Sequence, residues 1–251
     1  MKRCVLALAG LLALPVCARA QSRPIYVPEA PPQQLPGARF SVTPFVGARV
    51  PYNTGTFYVL GANGQQLVVE EQREGSYAVG LNADARLTGP FSLVASVAYS
   101  GPQQDNFLFG TPGDSVPDGS FTDDSPTLWF AKAGVSARLP DPVPDERRFH
   151  PSAFVTVAPA MVFVNDAGGG NSQHLALNLG ADAVTRIGRG NFALNLGIED
   201  YITFWNTDDF RARDEARFGS ETRFAGQGVS IDYDYSTANI VMLRLGVSYR
   251  H

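Results

Sequence analysis

Alternation with a period of two residues dominates the chain from Ala38 onward. In 75–87, Tyr77, Val79, Leu81, Ala83, Ala85 and Leu87 share one face, and Ser76, Ala78, Gly80, Asn82, Asp84 and Arg86 share the other. Three later segments repeat the scheme. Leu175, Leu177 and Leu179 oppose His174, Asn178 and Asp182; Leu194, Leu196 and Ile198 oppose Asn195, Gly197 and Glu199; Leu243, Leu245 and Val247 oppose Arg244, Gly246 and Ser248. Neighbouring side chains of a strand point to opposite sides, so this spacing predicts strands and not amphipathic helices. Eight strands are expected: 38–50, 75–87, 91–100, 126–139, 152–164, 173–187, 191–204 and 237–250. They are longer than the roughly five or six residues common in soluble sheets and suit strands that cross a bilayer at a tilt.

The connections carry a second pattern. Thr88-Gly89-Pro90 and Gly188-Arg189-Gly190 are short turns, and 140–151 is a compact Pro-rich link. Between them lie the longer segments 51–74, 101–125 and 205–236, with the shorter Gly-rich 165–172 in the same phase. Short turns at one end and long loops at the other are expected of an up-and-down membrane barrel. An even number of strands also lets the sheet close, leaving no unpaired edge for lipid to meet. Alternation alone does not say which face is inward: in a soluble sandwich or lipocalin-like barrel the apolar face is inside, in a membrane barrel it is outside. Strand length and loop phase favour the second. The expected fold is therefore all-β, an eight-stranded antiparallel up-and-down transmembrane β-barrel over 38–251.

What precedes Ala38 fits export. Lys2 and Arg3 open the chain, an apolar run follows from Val5 to Val16, and Ala18-Arg19-Ala20 matches a small-x-small cleavage site. Residues 1–20 are thus expected to be a cleaved signal peptide, and the Pro- and Gln-rich 21–37 a periplasmic linker. Both cysteines, Cys4 and Cys17, lie within the signal, so no disulfide or cysteine metal site is expected in the remainder. Lys2, Arg3 and Arg19 leave with the signal too, so the rest carries 17 basic against 24 acidic residues, a net charge of −7. That balance excludes a nucleic-acid footprint. The mean hydropathy of −0.08 looks like that of a soluble protein, but a barrel hides its membrane signal because only alternate residues face lipid.

Aromatic residues gather towards the strand ends. Phe40, Phe91, Phe192 and Tyr249 lie on the short-turn side, and Tyr99, Trp129, Phe204 and Trp205 on the long-loop side, as two interfacial girdles would. Together with the eight alternating segments, the closing stretch from Val241 through Leu243, Leu245 and Val247 to Tyr249 resembles the small eight-stranded outer-membrane barrels, the class of OmpA transmembrane domains, OmpX and OmpW. The resemblance covers 38–251 and is architectural. It implies residence in the bacterial outer membrane as a monomer, with termini in the periplasm and long loops outside. It also implies contact with outer-membrane lipids and lipopolysaccharide, and insertion by the barrel-assembly machinery.

Candidate chemistry is sparse. Arg39, Arg49, Asp84, Arg86, Lys132, Arg138, Asp182, Arg186, Glu199 and Arg244 fall on the polar face and are expected to line the lumen. An eight-stranded bore is just wide enough for its own side chains, so a structural network of paired charges is expected there in preference to an open pathway. Asp105, Asp114, Asp118, Asp123 and Asp124 make 101–125 acidic, but no calcium-loop spacing is present. The arginines of 205–236, among them Arg211, Arg213, Arg217 and Arg223, could meet lipopolysaccharide phosphates. Ser172 and His174 share a face, yet no Gly-x-Ser-x-Gly elbow and no assigned carboxylate completes a hydrolase constellation. No cofactor, catalytic residue or metal ligand is assigned. The expected function is non-enzymatic, a structural or surface-interaction role through the loops. Two alternatives are a conduit for small apolar solutes, suggested by Phe154, Met161 and Phe163 in the fifth segment, and a lipid-modifying enzyme using His174 and Ser172.

Overall fold

The structure is a computed structural model that describes residues 40–61, 64, 66–102, 104–112, 119–124, 126–140, 151–165, 171–187, 191–220 and 228–251. The signal and linker segments, and Arg39, lie outside the described residues. Eight strands close a barrel: β1 (Phe40–Arg49), β4 (Ser76–Arg86), β5 (Phe91–Ser100), β8 (Thr127–Arg138), β9 (Ser152–Asn165), β10 (Asn171–Arg186), β11 (Phe192–Phe204) and β13 (Thr237–Arg250). Going round the wall the order is β1, β13, β11, β10, β9, β8, β5, β4 and back to β1, every pair antiparallel. These eight agree with the eight expected from alternation to within two residues at each end.

The apolar face points outward. Val46, Leu196 and Leu175 are 60%, 60% and 66% exposed, and every barrel strand contributes large exposed hydrophobics. A largely apolar wall around a closed sheet has no stable home in water, and lipid is its natural solvent. This orientation removes the soluble sandwich and the lipocalin-like barrel, which need the same residues inside. Phe40, Phe91, Phe192 and Tyr249 sit on the outer wall, with the Phe192 and Tyr249 rings 5.5 Å apart. On the loop side Trp129 and Phe204 face out, and Tyr99 stacks 5.0 Å from Trp129. Trp205 departs from the expected girdle. The alternation continues one residue past outward Phe204, and so the Trp205 indole turns inward to 5% exposure.

The long loops are folded. Their strands β2 (Tyr52–Gly61), β3 (Gln66–Arg73), β6 (Gln104–Gly110), β7 (Gly119–Asp124) and β12 (Val229–Tyr233) form a second sheet in the order β12, β2, β3, β6, β7. A helix, α1 (Asp208–Ser220), accompanies it, with Asp208 and Asp209 in its first turn where the helix dipole favours negative charge. Phe57, Val59, Leu67, Val69, Phe107, Phe218 and Ile231 pack into a second core, bridged to the barrel's by Tyr233 and Tyr235, which pack against both. Phe218 of α1 meets Phe57 edge-on at 5.5 Å and Phe107 at 6.3 Å. Alternation in the sequence predicts no strands in 51–74, 101–125 or 205–236, and the structure corrects this. The cue was present, since Phe57 and Val59, Leu67 and Val69, and Phe107 and Phe109 alternate too, but over runs too short to stand apart from turn-rich surroundings.

Candidate functional site

Two places concentrate chemistry: the barrel lumen and its seam with the cap formed by the second sheet. Within the lumen the inward positions divide into tiers. The loop-side half holds an apolar layer of Leu128, Phe130, Val162, Ile240 and Met242, with buried Arg49, Ser100, His174 and Thr203 at its outer end. Below it sits an ion cluster built by β8, β10, β11 and β13. Glu199 is its hub. Lys132 Nζ donates to Glu199 Oε1 at 2.6 Å and to Asn178 Oδ1 at 2.8 Å. Tyr201 O–H donates to Glu199 Oε2 at 2.7 Å, and Arg244 Nη1 lies 2.7 Å from Glu199 Oε1. Arg244 Nη2 reaches both oxygens of Asp182 at 2.7 Å. Lys132 and Glu199 have fully buried side chains. Two cations and two anions therefore neutralise one another where water is scarce, the arrangement that makes buried charge tolerable.

The remaining candidates for lumen charge are placed differently. Asp84 stands nearer the short turns and accepts from Asn82 Nδ2 at 2.7 Å and Ser41 Oγ at 3.4 Å. Arg49 is buried at the loop-side end of β1. Arg86 and Arg186 are exposed and Arg138 is half-buried, all at the short-turn ends of their strands. The structure thus brings Lys132, Asp182, Glu199 and Arg244 together and leaves those three arginines at the mouth. Alternation reports the face of a residue and not its depth.

A close approach holds the cluster shut. Gly197 faces inward on β11, and a Cβ there would collide with Asp182 Oδ1 and lie 2.6 Å from Arg244 Nε. Gly197→Ala is expected to push the Asp182–Arg244 pair apart at a cost of about 1–3 kcal/mol, the usual penalty for overpacking. The urea midpoint of the refolded protein checks this, and an unchanged midpoint would show that the pair yields freely.

At the seam, Arg73 is the central side chain. Its Nε and Nη2 bind Glu71 Oε1 at 3.1 and 2.9 Å, and its guanidinium lies over the rings of Tyr52 and Trp205. Tyr235 O–H donates to Glu71 Oε2 at 3.3 Å; burial first, and the Glu71 charge second, hold its phenol far above the usual range, so it stays a donor. Tyr233 O–H donates to buried Asp214 at 2.7 Å. Arg211 is occupied within the cap: Nη1 donates to Ile231 O at 2.6 Å, Nε pairs with Asp208 at 3.3 Å, and the head lies over Tyr233. Arg223, Asp114 and Asp118 lie outside the described residues, and the positions of Asp105 and Asp123 are opposite each other in the β6–β7 ladder. Among the described residues, no three His, Cys, Asp or Glu side chains converge on a metal position.

Ser172 and His174 do meet. Ser172 Oγ lies 2.9 Å from His174 Nε2, and the Asn206 backbone N–H donates to His174 Nδ1 at 3.3 Å. Trp205 packs against the imidazole edge-on at 4.7 Å. Because Nδ1 accepts, a neutral ring carries its proton on Nε2 and donates it to the serine oxygen. A base for serine needs the opposite tautomer, with Nδ1–H held by a carboxylate.

No protein-family model matches the chain. No curated protein matches it either. Among solved structures, the barrel is similar to neisserial surface protein A at 13% identity, covering 86% of this chain and 98% of that one, with a TM-score of 0.37. It is similar to the outer-membrane protein OprG of Pseudomonas aeruginosa at 11% identity, with 84% and 95% covered and a TM-score of 0.44. The outer-membrane protease OmpT of Escherichia coli is similar at 8% identity, with 84% and 97% covered and a TM-score of 0.34. The fold assignment stands on the chain's own geometry: an unbroken circuit of eight antiparallel strands, an apolar outer wall, aromatic rims and a charged interior. On that geometry, the chain has the fold of a small eight-stranded transmembrane β-barrel.

Proposed function

We propose that this protein is a non-enzymatic outer-membrane barrel, closed to solutes, that displays a folded platform on the cell surface for contact with other molecules. The observation that carries the reading is the five-stranded sheet with its own core. Loops kept only to join strands have no need of buried aromatics, whereas a surface that must present one shape does. The ion cluster supports closure, because a solute would have to displace Glu199 from three donors at once. The His174 tautomer supports a non-enzymatic role. In this reading the termini and short turns face the periplasm and the cap faces outward. The wall then meets outer-membrane lipids and lipopolysaccharide, and the β13 end addresses the barrel-assembly machinery.

The test has two arms. In a planar bilayer the purified protein is expected to give no conductance steps. In intact cells, an impermeant maleimide should label Ser230→Cys in the cap, and should reach Thr88→Cys in a short turn only after the outer membrane is breached. Steady conductance overturns closure, and the reverse labelling pattern overturns the orientation.

A second reading, a conduit for small apolar solutes, has one observation in its favour: an apolar layer of Leu128, Phe130, Val162, Ile240 and Met242 lies above the ion cluster. The residues that first suggested it do not supply that surface. Met161 and Phe163 face the lipid side of β9, and only Phe154 has the inward parity. Faster uptake of an apolar dye by protein-containing liposomes than by empty ones would support this reading over closure.

A further inference from the structure

One polar pair interrupts the outer wall. On β11 the outward row runs Phe192, Leu194, Leu196, Ile198, Asp200, Ile202, Phe204. Asp200 therefore lies two outward positions inside the aromatic rim, with Leu179 of β10 and Val241 of β13 as its ladder neighbours. Asn239, in the outward row of β13, donates to Asp200 Oδ2 from Nδ2 at 3.2 Å. Acyl chains offer neither donor nor acceptor, so a carboxyl in this row is costly and calls for a partner.

The pair has capacity to spare. The Asn239 amide has a second N–H and a carbonyl, and Asp200 Oδ2 can accept a second hydrogen bond, while Oδ1 is buried in the wall. A donor beside an acceptor is complementary to a copy of itself turned about a two-fold axis, since each donor then faces the other's acceptor. Leu179, Ile198, Ile202 and Val241 surround the pair with the apolar contact that such a meeting would bury. We propose that the β11–β13 wall is a self-association surface on which two copies of this chain exchange Asn239–Asp200 hydrogen bonds within the bilayer. This departs from the monomer expected from sequence. It rests on the barrel lying in a membrane and not on the role proposed for the cap.

The chain's two cysteines, Cys4 and Cys17, permit a clean test once both are replaced by alanine. In that background, Val241→Cys is reconstituted into phosphatidylcholine vesicles over a range of protein densities and oxidised with copper phenanthroline. Vesicle flotation confirms insertion independently. Disulfide-linked dimers are expected at Val241→Cys and not at Val97→Cys, on β5 across the barrel. Adding Asp200→Leu or Asn239→Leu should raise the protein density for half-maximal cross-linking about tenfold, the change expected when roughly 1.4 kcal/mol of hydrogen bonding is lost. Asp200→Asn, which keeps hydrogen-bonding capacity, should restore most of it. Asp200→Leu should leave the urea midpoint of dilute protein equal or higher, because it removes a carboxyl from lipid. Floated protein that cross-links no better at position 241 than at 97 overturns the proposal, as does cross-linking indifferent to Asp200→Leu. Failure to float would instead count against the membrane barrel itself.

Discussion

Glu199→Ala is expected to destabilise the barrel by about 3–5 kcal/mol, the cost of leaving buried charge without its counter-ion. Glu199 receives Lys132, Arg244 and Tyr201 together, so its loss strands a fully buried ammonium and halves the partners of Arg244. Asp182 still satisfies Arg244 but does not reach Lys132 by any hydrogen bond described above. Urea unfolding followed by heat-modifiable gel mobility measures the loss. The double variant Lys132→Met, Glu199→Gln should recover most of it, because the stranded charge goes and the amide still serves Tyr201 and Arg244. A single-variant loss under about 1 kcal/mol would mean that water already screens the cluster, and the lumen would then be open to solvent.

The second large effect belongs to the cap. Phe57 is fully buried and touches the rings of Phe218 and Tyr233, each at 5.5 Å. Phe57→Ala removes roughly 3–5 kcal/mol of packing there. The cap core meets the lumen core through Tyr233 and Tyr235, and the strand ladders hold the barrel without it, so the expected outcome is local. Protease should cut the cap at least tenfold faster while the eight-stranded circuit keeps its heat-modifiable migration. If the barrel's urea midpoint falls as far as the cap's protection does, the two cores unfold as one unit and the platform reading loses its independence.

The barrel was legible because lipid enforces it. Each wall strand must keep an apolar row for its whole length, and rows such as Leu175-Leu177-Leu179 and Leu243-Leu245-Val247 leave little ambiguity. The cap was not, since water tolerates irregular strands and a small core needs only a few apolar residues from each. Within the site, parity placed Lys132, Asp182, Glu199 and Arg244 on the correct face. It could not separate them from Arg86, Arg138 and Arg186 at the mouth, because depth depends on stagger between neighbouring strands. Asp200 breaks the apolar row between Ile198 and Ile202, directly beside the lumen carboxylate of Glu199. Trp205 faces inward by the same alternation that puts Phe204 outside.

The second sheet also carries a clock. Its β12 strand comes from the last loop of the chain and pairs with β2 from the first, Val229 opposite Gly61. Long-range pairings of this kind form late, after the intervening segments have found their places. The β12–β2 pairing joins the first and last loops of the chain, as the β13–β1 pairing joins the first and last wall strands, so completion of the cap is expected to accompany closure of the wall. A finished cap is therefore a receipt for a correctly closed wall, and a chain stalled before closure would show the outside world a frayed, protease-ready edge.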